Sequence, residues 1–107
     1  SYPDFIHQEN SSTVNADSGD YTGPTISNGS GNYSYSWKKV SDLTLSASGD
    51  DVDIVANSTS AQPTFEVNGL GTISGQVARS VFEVKVTDTT TSQTAKDLMQ
   101  VSLIRGA

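Results

Sequence analysis

The sequence predicts an all-β fold, a two-sheet sandwich of seven or eight strands with no disulfide. Three observations carry that reading. Apolar residues alternate with period 2 in several segments, the pattern of a strand with one buried face. No window places apolar residues at i, i+3, i+4 and i+7 over helical length. Clusters of turn-forming residues interrupt the alternation every 8 to 14 residues, a spacing that leaves no room for helical crossovers.

The elements follow in order. In SYPDFIHQEN, Tyr2, Phe5 and Ile6 lie close together before a mostly polar run. Residues 1–11 therefore read as either a first strand or an N-terminal arm that packs on a neighbouring domain or subunit. Residues 12–107 read as the sandwich. YTGPTIS, around Ile26, is a candidate strand whose Pro24 has no amide hydrogen and so favours an edge or a strand start. In NYSYSWKKV, Tyr33, Tyr35 and Trp37 share one face, and Ser34, Ser36 and Lys38 the other. DLTLSA, DVDIVA and PTFEVNG are short strands bounded by turn residues. SVFEVKVTD sets Phe82, Val84 and Val86 against Val81, Glu83, Lys85 and Thr87. KDLMQVSLIR sets Met99, Val101 and Leu103 against Leu98, Gln100, Ser102 and Ile104, a second face apolar enough for partial cover. The expected core is Tyr35, Trp37, Phe65, Phe82, Val84, Val86, Met99, Val101 and Leu103.

Bulk properties narrow the function. At 107 residues the chain is one domain by length, beginning at Ser1 as a processed or excised piece would. It has no cysteine, which excludes disulfides and thiolate zinc sites. The net charge is −6, and the six Lys and Arg are scattered, so neither nucleic acid nor an anionic membrane is an expected partner. No apolar run is long enough to span a bilayer as a helix. Ser and Thr supply 29 residues, with nine Gly and six Asn besides, a composition common in extracellular bacterial modules and phage particles.

YSYSW on one strand, FEVKVTD on a later one and a final alternating strand together resemble the PKD and bacterial immunoglobulin-like domains. Tyr35 and Trp37 match that family's aromatic strand with its buried Trp. Phe82, Val84, Val86 and Asp88 match the penultimate strand, and Met99, Val101 and Leu103 the last. The resemblance spans roughly residues 12–105. The chain departs from it where KKVSDL replaces the Gly-Asp-Gly turn that follows the Trp in PKD domains. The resemblance implies a non-catalytic module that spaces, decorates or adheres.

Reactive groups are few. His7 is the only histidine, so no multi-His metal site is possible, and no G-x-S-x-G elbow is present. Asp50, Asp51 and Asp53 are the calcium candidates, because Ca²⁺ takes several carboxylate and carbonyl oxygens. The favoured reading of that cluster is a solvated turn, and no other cofactor is implied. Asp88, at a strand end, reads as a carboxylate bonded to turn amides. Gly69, Gly71 and Gly75 lack the Lys and helix of a phosphate loop. Glycosylation triplets at Asn10, Asn28, Asn32 and Asn57 read as incidental to a Ser/Thr-rich composition.

The expectation is therefore a protein that acts by shape and surface and not as an enzyme. The leading reading is a structural or decoration module of a bacteriophage head, neck or tail, one that can also aid weak host-surface attachment. The second is a carbohydrate- or cell-binding module of a bacterial surface protein or secreted hydrolase. Either is expected in a virion or at an extracellular surface. Tyr2, Phe5, Ile6 and Tyr21 are the candidate contacts to other virion or surface proteins.

Overall fold

The computed structural model describes residues 4–9, 14–17, 26–43, 52–67 and 77–105. They form seven strands and no helix: β1 (Asp4–Glu9), β2 (Val14–Asp17), β3 (Tyr33–Asp42), β4 (Asp53–Ala56), β5 (Thr64–Val67), β6 (Val77–Asp88) and β7 (Thr94–Arg105). They assemble into a four-stranded sheet ordered β1-β7-β6-β3 and a three-stranded sheet ordered β2-β5-β4. With the strands lettered A to G, B-E-D faces C-F-G, the strand order of an immunoglobulin-like sandwich. The fold class is thus an all-β immunoglobulin-like sandwich. The first strand has crossed to the C-F-G sheet, where it pairs in parallel with β7.

The alternation read from the sequence decides which faces meet. Val84 lies opposite Trp37, Val86 opposite Tyr35 and Phe82 opposite Met99, so one face of the larger sheet is a continuous apolar layer. Phe65 and Val67 of β5, with Val52 just before β4, close over it from the smaller sheet. Phe65, fully buried, is the centre of this layer. Its ring lies 4.8 Å from that of Phe82, 6.0 Å edge-on from Trp37 and 6.3 Å from Phe5. The Trp37 indole nitrogen donates to the Ser60 carbonyl at 3.0 Å, so the buried ring keeps its polar atom satisfied.

Several elements differ from the sequence reading. Ile26 is buried in the core but lies in a turn and not on a strand. An aliphatic anchor in a loop has the same apolar signature as a short strand. Leu43, expected inside a separate strand, follows directly on β3, which runs through to Asp42. Residues 44–51 of that region lie outside the described residues. Val40 falls on the outer face of β3 with Ser34, Ser36 and Lys38 and is exposed, beside a register shift between Lys39 and Ser41. Tyr33 shares the inner face of Tyr35 and Trp37, yet the three differ: Trp37 is buried, Tyr35 half-buried and Tyr33 exposed. The four-residue strands of the smaller sheet are too short to follow the ten residues of β3 to its end.

The β6–β7 hairpin carries a residue under strain. Ser92 has a φ of 65°, left-handed backbone that L-residues adopt at a cost of about 1–2 kcal/mol. Ser92→Gly is expected to raise the urea midpoint, with a net gain of roughly 0.5 kcal/mol after glycine's extra unfolded-state entropy. A lower midpoint would show that the turn holds this conformation without strain.

Candidate functional site

The polar groups that stand out are built into the ends of the sandwich. Asp88 is the last residue of β6, and its side chain is fully buried. A carboxylate at the start of a hairpin turn can accept from amides two and three residues on. Here Oδ1 accepts from the Thr90 amide at 2.9 Å and the Thr91 amide at 3.1 Å. The same carboxylate reaches across to the β2–β3 loop. Ser30 donates its amide to Oδ2 at 2.6 Å and its hydroxyl to Oδ1 at 2.8 Å.

The Ser30 amide does most to hold the Asp88 carboxyl down, to about 2, against the opposing effect of burial. The Ser30 hydroxyl and the Thr91 and Thr90 amides add to it. A group so fully bonded is committed to structure. It ties two loops together and is not available as an acid or base near neutral pH.

A second polar knot joins the sheets farther along β3. Lys39 shares the inner face with Trp37, and its ammonium reaches Asp53 of β4 at 2.9 Å and Asp42 at 3.1 Å. Burial pulls the Lys39 pKa down, but hydrogen bonds and charge attraction from the two carboxylates outweigh it and leave the pKa raised. Asp42 also accepts from the buried Ser80 hydroxyl at 2.7 Å, and that hydroxyl accepts from the Val52 amide at 3.3 Å.

The residues singled out in the sequence are dispersed. Of the calcium candidates, Asp53 is engaged by Lys39, and Asp50 and Asp51 lie outside the described residues. No group of three or more His, Cys, Asp or Glu side chains able to hold a metal ion occurs among the described residues. His7 is half-buried on β1, opposite Leu103. Phe5, offered as a partner contact, is corrected to a core-facing residue, because strand alternation turns it inward against Phe65. Ile6, its neighbour, points outward and is 60% exposed. Tyr2, Tyr21 and the glycines at 69, 71 and 75 lie outside the described residues. Trp37, Phe65, Phe82, Val84, Val86, Met99, Val101 and Leu103 lie in the buried cluster, with Tyr35 packed at its margin.

The exposed large apolar side chains have a pattern the sequence did not reveal. Among the described residues they are Ile6 at 60%, Val40 at 51%, Leu43 at 47% and Tyr33 at 36%. Ile6 is on β1, Tyr33 and Val40 are on β3, and Leu43 is the next residue after β3. All four therefore lie on or beside the two edge strands of the larger sheet. A hollow of about 150 Å³ lined by Ile54, Ala56, Asn57 and Ser58 opens beside β4. It is too small for more than a few water molecules or a small fragment.

The strand order and the buried Trp37 define the class, a disulfide-free immunoglobulin-like β-sandwich domain. Among solved structures, the chain is similar to the PKD domain (329–428) from human KIAA0319. Identity is 16% over 98% of this chain and 78% of that one, with a TM-score of 0.48. No family model matches the chain, and no curated protein matches it.

Proposed function

We propose that this domain is a non-catalytic structural or decoration module of a bacteriophage virion, attached to head, neck or tail through the edges of its larger sheet. The observation that supports this reading is the placement of Ile6, Tyr33, Val40 and Leu43 on or beside those edges. An edge strand presents unpaired N–H and C=O groups, and a partner strand laid against it gains ladder hydrogen bonds. Apolar side chains beside that edge add burial to the same contact. The large acidic excess keeps such a module soluble and resists association of the free domain with itself.

Immunogold labelling of particles, with antibody raised against the domain, tests the reading. Label on purified virions, reduced in particles assembled with Ile6→Lys and Val40→Lys, is the expected result. Label confined to the bacterial cell surface would replace the virion reading with that of a bacterial surface module.

A further inference from the structure

The two loops tied by Asp88 form one end of the sandwich, and that end differs chemically from the rest of the chain. In a molecule of net charge −6, no charged residue occurs from Ile26 to Trp37 or from Thr89 to Ala95. Asp88, the one carboxylate between them, is buried and consumed by four hydrogen bonds. Ser27, Asn28, Thr89, Thr90 and Gln93 are all exposed there, and Tyr33 adds an exposed ring. The nearest charges along the strands, Lys38, Lys85 and Lys96, lie beyond these segments; Lys85 and Lys96 pair across β6 and β7. Among the described residues this surface is thus made of hydroxyls, amides and one phenol.

This end is also held in shape. Besides the bonds to Asp88, the Asn32 carbonyl accepts from the Thr89 amide at 2.9 Å and from its hydroxyl at 3.1 Å. The Asn32 side-chain amide donates to the Thr90 hydroxyl at 3.3 Å. The Gly29 amide donates to the Ile26 carbonyl across a turn whose third residue, Asn28, has a φ of 57°, which fits a type II turn. Tyr33 lays its phenol against Gly29, where an added Cβ would collide with the hydroxyl, so glycine is what lets the ring sit on the loop. These are the B–C and F–G loops of the sandwich, the end at which variable immunoglobulin domains carry two of their binding loops. Loops rich in Tyr, Ser, Gly and Asn recognise ligands with a rigid amphipathic ring and adaptable hydrogen bonds, and a preorganised surface loses little entropy on binding.

We infer that this loop end is a binding site for a neutral glycan, with Tyr33 as the stacking platform and the Ser, Thr and Asn groups around it as hydrogen-bond partners. The ligand is uncharged because, among the described residues 26–33 and 89–95, no exposed cation can pair with a uronate, sialate or phosphate. It is a sugar and not a protein because one ring provides too few apolar anchors for a protein hot spot. A pyranose ring needs only one aromatic face and a fringe of hydroxyl partners. The inference shares Tyr33, the first residue of β3, with the virion reading, and otherwise rests on the loops and not on Ile6, Val40 and Leu43.

The test is titration of the ¹⁵N-labelled 107-residue chain with neutral gluco-, manno-, galacto- and N-acetylglucosamine oligosaccharides, and with uronic-acid and phosphorylated counterparts. At least one neutral oligosaccharide is expected to bind with a Kd of about 0.1–1 mM, the range of a shallow site. Shifts should be confined to residues 27–33 and 89–93, and affinity should be the same at low and high salt. Tyr33→Ala should weaken binding by about tenfold, equivalent to roughly 1.4 kcal/mol. Thr90→Asp, an exposed change that leaves the core untouched, serves as the second variant and should weaken binding similarly. The inference is overturned if no neutral sugar binds, if only acidic glycans bind, or if shifts fall on β1 and on β3 from Val40 onward. Parent-like binding by both folded variants would overturn it as well. Any of these leaves the virion reading standing, because that rests on particle labelling.

Discussion

Phe65→Ala is expected to destabilise the domain by about 3–5 kcal/mol, the usual cost of emptying a buried phenylalanine site. Phe65 is fully buried and touches rings from three strands of the opposite sheet, Phe5, Trp37 and Phe82. It is the one side chain of the smaller sheet seen to bridge all three, so no neighbour can move into the space without leaving its own strand. Domains of this size hold only about 5–15 kcal/mol in total, so the variant should sit near the edge of folding at 37 °C. Urea unfolding followed by tryptophan fluorescence reads both stability and the environment of Trp37. Phe65→Leu keeps most of the volume and should lose less than half as much. Equal losses for the two variants would show that the packing of the ring itself, and not the volume it fills, carries the stabilisation.

Asp88→Asn is expected to lower the Tm by roughly 10 °C at pH 7, because one acceptor oxygen remains and the amide nitrogen leaves either the Ser30 amide or the Thr90 and Thr91 amides unpaired. The pH dependence follows from the carboxyl's position at about 2 in the folded domain against an ordinary value of 3.8. A carboxyl depressed on folding contributes stability above its unfolded value, and that contribution disappears as pH falls through the folded one. The parent should therefore lose this contribution between about pH 4 and pH 2, a component absent from Asp88→Asn. The gap between the two proteins should narrow across that window. A constant gap from pH 7 down to pH 2 would mean that the carboxylate's charge is irrelevant and only its shape matters. The same variant should speed amide exchange in residues 27–33 and 89–93 before any other part of the sheet, since the buried carboxylate takes four of the hydrogen bonds that hold those loops.

Trp37, Phe82, Val84 and Val86 could be assigned to the core because a strand's side chains alternate, so a run of apolar residues two apart has only one consistent burial. The same rule placed Met99, Val101 and Leu103. It does not reach two places. Ile26 packs from a turn, where no periodicity constrains the side chain. For residues 1–11 a first strand and an arm both stayed open, and the segment forms β1; the burial of Phe5 depends on β7, some 96 residues away in sequence, since Phe5 lies opposite Val101. The role of Asp88 as a turn carboxylate was legible from DTTT, but its Ser30 partner, 58 residues earlier, was not.

The amino-acid sequence settles the local part of the molecule. It shows an all-β chain, the faces of its long strands, the absence of thiol chemistry and a shortage of reactive groups. These follow from residue type and from a side-chain period that needs no knowledge of neighbours. Only the tertiary structure decided which strands pair, and hence that β1 joins β7 in parallel and that the edges carry Ile6, Val40 and Leu43. It also decided that two uncharged segments, 26–37 and 89–95, far apart in sequence, share one end of the domain around a single buried carboxylate. The physical reason is that strand partners and loop neighbours are chosen by burial and hydrogen bonding across long sequence separations. Composition and periodicity record which face of a strand is buried, and do not record what lies against it.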